Sequence, residues 1–393
     1  MANDKRYEYV LPKGFVLRGG ENDYIIEEVL GKGGFGITYK VRTRVLYKNI
    51  KIDAIFAVKE FVPDICSRQE DNATIKIPET KQLEIIDGKK DFINEGLKLQ
   101  KVCKLNPNIV NVNEVFEANG TAYYVLEYLE GGDMRKMMKN NAGPLTEQQM
   151  LDVMLPIGRA LQCLHDNRML HLDVKPDNVV MRIDHNDGTT EPVLIDFGIS
   201  AHFNKDGTPT SKTPSQGISP GYSPIEQYAQ VNIFDPRIDV YAFSATCLYL
   251  LTGKDPIVAM EMTPEYVKNS FPSDISSNVV GAIERGMAMN KNARTGSINE
   301  VLSQLSQMKK TVADNLVSAP IKDAPNNNTR KIKEPAFASR QSELKTSLAS
   351  KSSPIKLWRK LKLWIKLLVI LSIALLVAVI VAASIHICVH GSL

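Results

Sequence analysis

Between residue 24 and about residue 129 the apolar positions come in short β-branched or aromatic runs. These are "YIIEEVL", "ITYKVRT", "AIFAVKEF" and "AYYVLEYL", bounded by Gly, Asn or Pro. Such runs predict strands. One stretch breaks the pattern: "DFINEGLKLQKVCKL" sets Phe92, Leu99, Val102 and Cys103 near helical spacing, with Glu95 in the same segment, and predicts a helix. After Gly131 the apolar residues recur in steps of three and four, as at Met150, Met154, Ile157, Leu161 and Leu164, with Pro156 a point for a kink. The chain therefore reads as α+β: a leader (1–23), a strand-rich small lobe (24–129) and a helical large lobe (130–307).

The pattern changes twice more. Residues 308–354 are rich in Ser, Lys, Asn and Pro with few large apolar side chains, which predicts a flexible tether averaging about 35 to 40 Å end to end. Residues 367–389, "LLVILSIALLVAVIVAASIHICV", hold no Asp, Glu, Lys or Arg. As a helix this run would reach about 34 Å and predicts one C-terminal transmembrane helix. Its N-terminal flank (355–366) and the residues just before it carry Lys351, Lys356, Arg359, Lys360, Lys362 and Lys366, together with both tryptophans, Trp358 and Trp364. Basic residues favour the cytoplasmic side and anionic lipid, and indoles favour the headgroup level. The expectation is a single-pass protein of the cell membrane with its lobes in the cytoplasm. The N-terminus "MANDKRYEYVLPKG" has no apolar run of signal-peptide length.

Composition narrows the function class. Hydrophobic residues make up 44% and charged residues 23%, as in globular proteins. The net charge of +4 is owed to the six basic residues beside the apolar run, so residues 1–350 net about −2. A nucleic-acid partner is not expected, since residues 1–350 carry no basic excess or block to meet phosphates. The five cysteines (Cys66, Cys103, Cys163, Cys247, Cys388) form no C-x-x-C pair and fit small apolar residues in a reducing compartment.

The first candidate chemistry is "GKGGFG", Gly31 to Gly36, which satisfies G-x-G-x-x-G. Alone it also fits a dinucleotide fingerprint, but such a loop opens a helix. Here "VLGKGGFGITYKV" runs on into β-branched and aromatic residues, so a hairpin over phosphates is expected.

With "FAVKE", "HLDVKPDN" and "LIDFG" following in order, the chain resembles the eukaryotic-type (Hanks-type) Ser/Thr protein kinases, most closely a bacterial branch, over about residues 24–307. The resemblance implies the two-lobed protein-kinase fold and transfer of the γ-phosphoryl of ATP, with Mg²⁺ or alternatively Mn²⁺, to Ser or Thr hydroxyls of protein substrates. It implies that Leu30, Gly31, Lys32, Gly33, Gly34, Phe35, Gly36, Ile37 and Thr38 enclose ATP. Lys59 would hold its phosphates, paired with Glu95 or, as the alternative, Glu84. Glu127 and Leu129 would offer backbone groups to adenine, and Leu126 would gate the back of the pocket. Asp173 would accept the substrate proton, Lys175 would offset charge on the transferred group, and Asn178 and Asp196 would hold the metal. Lys175 within this motif points to Ser/Thr rather than Tyr as acceptor. Pro224 and Glu226 of "GYSPIEQY" resemble the A-P-E element, Asp239 lies on a large-lobe helix, and Arg294 is the expected partner of Glu226.

Two departures carry consequences. The family's usual H-R-D has Leu172 in place of Arg, which removes the cation that a phosphate on the activation segment neutralises. Thr208, Thr210, Ser211, Thr213, Ser215 and Ser219 lie in that segment, and phosphorylation there is expected to matter little. The connection from Phe61 to Lys90 is long for the family. The alternative readings are a membrane-anchored pseudokinase scaffold and a kinase-fold enzyme acting on a small molecule.

Overall fold

In the computed structural model, which describes residues 9–33, 36–47, 50–140, 143–197, 201–202, 217–229 and 235–306, the strand runs of the small lobe form one antiparallel sheet. Its members are β1 (Val16–Arg18), β2 (Asp23–Gly33), β3 (Gly36–Tyr47) and β4 (Ile50–Phe61), followed after an excursion by β7 (Val112–Ala118) and β8 (Thr121–Glu127). The spatial order is β1-β2-β3-β4-β8-β7. The Gly-rich stretch continues into a strand, with Gly33 opposite Gly36 at the end of the β2–β3 ladder. The leader is not separate from the lobe: β1 pairs with β2, Leu11 and Leu17 are buried, and the Leu11 N–H donates to the Tyr39 hydroxyl at 3.1 Å. Three residues of strand are too few to show a period in sequence, which is why the boundary at 24 falls late.

The excursion between β4 and β7 corrects a second boundary. It contains a small hairpin, β5 (Ser67–Arg68) and β6 (Ile75–Lys76), and then helix α1, which spans Gln82–Val102 and so begins well before Asp91. Ile85 extends the buried stripe of Phe92, Leu99 and Val102 by two turns. The hairpin is tied to the sheet by charge. Glu60 follows Lys59 in β4 and therefore points to the opposite face, where it is fully buried. There it accepts from Arg68 at 2.6 and 3.0 Å, from Tyr39 at 2.8 Å and from Tyr123 at 2.7 Å. Part of the long connection thus locks onto the strand that carries Lys59.

The large lobe is built on α2 (Met134–Asn140), α3 (Glu147–Asp166), α4 (Ile225–Tyr228), α5 (Arg237–Thr252), α6 (Pro264–Ser270) and α7 (Ser277–Gly286), with a further helix from residue 298 to the edge of the described region. Thr146 and Gln149 close a capping box at the start of α3, which runs through Pro156 as one element. Helix α5 is apolar around its circumference, buried from Ile238 to Leu251, and ends where Gly253 takes φ +68. Short strands β9 (Met169–Leu170), β10 (Val179–Ile183), β11 (Thr190–Leu194) and β12 (Ala201–His202) pair as β10–β11 and β9–β12. Cys66, Cys103 and Cys247 are buried and Cys163 half-buried, all four as free thiols. The tether, the basic flank and the apolar run at 367–389 lie outside the described residues. Among those described, no helix is long and apolar enough to cross a membrane.

Candidate active site

Strand alternation decides what the Gly-rich hairpin can offer. Ile37 is fully buried in the small-lobe core, so its side chain does not reach a ligand and only its backbone remains for one. A Cβ on Gly36 would stand 2.3 Å from the Glu60 carbonyl oxygen, so this glycine is demanded by the neighbouring strand. Among the described residues, a Cβ on Gly31 or Gly33 would meet nothing within 4 Å, leaving open space beside the backbone. Leu30 is exposed, and Lys32 turns toward Asp64 at 3.9 Å and the ring of Tyr9. Gly34 and Phe35 lie outside the described residues.

Lys59 sits opposite Thr38 on one side and Tyr124 on the other. Its ammonium donates to Asp196 at 2.5 Å. Burial alone would lower its pKa, but the carboxylate of Asp196, with Glu95 and Asp173 farther off, raises it above the ordinary lysine value. Glu95 therefore acts on Lys59 through space while Asp196 makes the contact. Glu84 is exposed and paired with Lys81 at 2.7 Å, which removes it as the partner. Helix α1 comes close because residue 96 is Gly: a Cβ there would be 2.3 Å from the Tyr124 ring. Tyr124 also stacks on Phe92 and hydrogen-bonds its carbonyl.

Across the cleft, "HLDVKPDN" is held from beneath by Asp239, fully buried on α5. The Asp239 carboxylate accepts from the N–H of His171 at 2.9 Å, the N–H of Leu172 at 2.8 Å and His165 Nε2 at 2.8 Å. Burial would raise its pKa, yet these donors hold it below the usual carboxylate value. Leu172 takes φ +66, a left-handed conformation unusual for a residue with a side chain, and is buried. His171 is fully buried. Its Nε2 bonds the Ile195 carbonyl at 2.9 Å and its Nδ1 accepts from the Asp173 N–H at 3.3 Å. That pattern requires the neutral ring, and burial lowers its pKa accordingly.

Asp173 gathers the polar groups around it. Oδ1 accepts from the Ser219 hydroxyl at 2.6 Å, and Oδ2 from Lys175 at 2.7 Å and Asn178 Nδ2 at 3.0 Å. Lys175 also donates to Ser219 at 3.0 Å. Ser219 is thus a partner of the catalytic-loop residues, whereas the other five candidate phosphoacceptors lie outside the described residues. Asn178 gives both Nδ2 hydrogens to Asp173, the second to its carbonyl at 2.8 Å, which turns Oδ1 away and leaves it as the amide's acceptor. Strands β10 and β11 set Val179 opposite Leu194, and the Ile195 N–H donates to the Asn178 carbonyl at 2.9 Å. Asn178 and Asp196 therefore flank adjoining strand ends. Phe197 packs in the large-lobe core and against His171, while Asp196, at φ +61, faces Lys59.

In the connection between lobes, the Glu127 N–H donates to the Asn111 carbonyl at 3.0 Å. This confines an adenine contact from Glu127 to its carbonyl. Its carboxylate accepts from Arg182 at 2.6 and 3.0 Å. Leu129 packs half-buried against the large-lobe core. Arg294, its side chain fully buried, holds Glu226 at 2.5 and 3.2 Å, as the sequence predicts. Sequence reasoning placed Asp239 on its helix but gave it no task, and passed over His165 and Gly96. An acid inside the apolar run "DVYAFSATCLYLL" and a glycine in mid-helix were the available signals.

The site fits a nucleotide and a divalent cation on its own geometry. The open backbone at Gly31 and Gly33 suits phosphate oxygens. The carboxylate of Asp196 and the amide oxygen of Asn178 are hard oxygen donors of the kind Mg²⁺ prefers.

A two-lobed fold with this site defines a phosphoryl-transfer class of protein. The family model described as protein kinase domain matches residues 24–309, and the chain belongs to that family. The Serine/threonine-protein kinase PknA of Nostoc sp. is 30% identical over 293 residues, covering 72% of this chain and 47% of that protein. Serine/threonine-protein kinase F of Synechocystis sp. is 28% identical over 291 residues, covering 72% and 54%. The chain spans about half the length of these curated relatives. Among solved structures, PpkA-294 in its apo form superposes with a TM-score of 0.55 at 24% identity, covering 76% of this chain and all of that one. The Mycobacterium tuberculosis PknI kinase domain gives a TM-score of 0.52 at 21% identity, covering 76% and 99%. These two likenesses establish the fold.

Proposed function

We propose that the protein is a Ser/Thr protein kinase that transfers the γ-phosphoryl of ATP to Ser or Thr hydroxyls of other proteins. The observation that carries this is the arrangement around Asp173, a carboxylate bonded to Lys175, Asn178 and Ser219 on a loop fixed by Asp239. Asp173 orients the acceptor hydroxyl and takes its proton, and Lys175 offsets charge on the group in transfer. Lys59 and the backbone at Gly31 and Gly33 hold the phosphates. Asn178 and Asp196 would hold Mg²⁺, which when bound neutralises phosphate charge. That Lys59, Asp173, Lys175, Asn178 and Asp196 are all present in the chain supports this reading over a scaffold without activity. Incubation with γ-labelled ATP and dephosphorylated casein tests the reading: label is expected on Ser and Thr of casein. No label, or label on Tyr alone, would overturn it.

We also infer that the apolar run at 367–389 anchors the protein in the cell membrane with its kinase domain in the cytoplasm, the basic flank meeting anionic headgroups at about 1 kcal/mol per charge. The absence of charge over 23 residues beside six basic side chains supports this. Alkaline extraction of membranes should leave the full chain in the pellet and release a chain ending at residue 350. A full chain that is extracted like the shorter one would refute the anchor.

A further inference from the structure

Where Leu172 denies the catalytic loop a cation for a segment phosphate, the fold supplies a different tether. Gln227 lies on α4, immediately after Glu226. Its Nε2 donates to two carbonyls from separate stretches of chain, Leu172 at 3.0 Å and Gly217 at 2.8 Å. An amide NH₂ has two hydrogens, so both are used. Each end of this bridge is itself fixed. Glu226 is clamped by the buried Arg294, and Leu172 is held through its N–H by Asp239 in a left-handed conformation. On the far side, Gly217 is two residues before Ser219, which bonds Asp173 and Lys175. The stretch continues by short bonds of its own: Ser219 N–H donates to Ser223 Oγ at 3.0 Å, and the Tyr222 and Ser223 N–H groups donate to the Ser219 carbonyl at 2.9 Å.

We propose that Gln227 is a positioning residue that fastens the 217–223 stretch to the catalytic loop by a neutral amide bridge, keeping Ser219 on Asp173 without a phosphate. A neutral donor between two neutral carbonyls needs no modification to form and is little screened by salt. In this respect it replaces the arginine and phosphate pair that Leu172 excludes. The catalytic part of the inference rests on the kinase reading above, while the structural part does not.

The test uses the full chain with Gln227→Met, which keeps length and removes the donor, and Gln227→Ala as a second variant. Loss of two neutral hydrogen bonds predicts a rise of about tenfold in the KM for casein, with the KM for ATP unchanged. It also predicts faster amide exchange across residues 217–223. Wild-type casein KM and wild-type exchange in both variants would overturn the proposal, as would an equal rise in both KM values. Failure of both variants to fold would also overturn it, by assigning Gln227 to the fold as a whole. If the unaltered chain transfers no phosphoryl, the kinase reading fails, and exchange at 217–223 still decides whether the bridge holds the stretch.

Discussion

Replacing Arg68 by Met tests how the segment after β4 supports the lysine strand. The guanidinium makes two charge-assisted bonds to Glu60, at 2.6 and 3.0 Å, and also donates to the Ala73 carbonyl at 2.7 Å and the Tyr9 carbonyl at 2.9 Å. Arg68→Met leaves the Glu60 carboxylate buried with, among the described residues, only the hydroxyls of Tyr39 and Tyr123 to meet it. Breaking one side of a buried pair costs about 3 to 5 kcal/mol. A two-lobed chain need not unfold in one step, so a readout on β4 itself localises this effect better than a global midpoint. Amide exchange along β4 is the direct assay. The stated cost predicts acceleration by about two to four orders of magnitude at Val58 to Phe61. Adding Glu60→Gln should restore much of the protection, because the uncompensated charge is gone. Acceleration below about fivefold, under 1 kcal/mol, would refute the reasoning. So would a double variant no better protected than Arg68→Met.

Gly36→Ala should disrupt the hairpin by driving a Cβ into the Glu60 carbonyl, whereas Gly33→Ala meets no atom of the described residues within 4 Å. Thermal melting should therefore drop for the first and hold for the second, with a raised KM for ATP in Gly33→Ala; equal melting losses would contradict this assignment. Phosphatase treatment should leave the transfer rate within about twofold of the untreated protein, since Leu172 offers no charge to a segment phosphate. A large loss on treatment would sink that expectation. The buried, neutral His171 has a pKa below its ordinary value of about 6.5, so its contribution to stability is complete above that pH. It is lost as pH falls through the lower folded value. Denaturant midpoints between pH 7 and pH 4.5 should fall more steeply for the wild type than for His171→Gln, and parallel profiles would exclude His171 as the cause.

The parts of the site that follow local rules were readable in the sequence. Runs of β-branched residues around "GKGGFG" gave the hairpin, and the fixed offsets within "HLDVKPDN" put Asp173, Lys175 and Asn178 on one loop. Glu226 and Arg294 could be paired because the family pattern supplies both ends. What escaped depends on contacts between distant residues. The Asp239 carboxylate gains its task only when α5 passes beneath the loop, 67 residues away from Leu172. Nothing near Glu60 in sequence says that it is buried, and the charged "VKEF" run hides a residue pointing away from the cleft. The start of α1 was missed because Gly88 and the lysines around it interrupt the apolar stripe between Ile85 and Phe92. Ile37 was placed against the nucleotide by its position in the motif, and alternation along β3 turned it into the core.

Asp173→Asn, measured beside the wild type in a single-turnover transfer from labelled ATP to casein, reaches the central claim most directly. The amide keeps the size of the side chain and removes its capacity to take a proton. Transfer should fall by about 10² to 10⁴-fold while ATP affinity stays near the wild-type value. Transfer at the wild-type rate by Asp173→Asn would contradict the account.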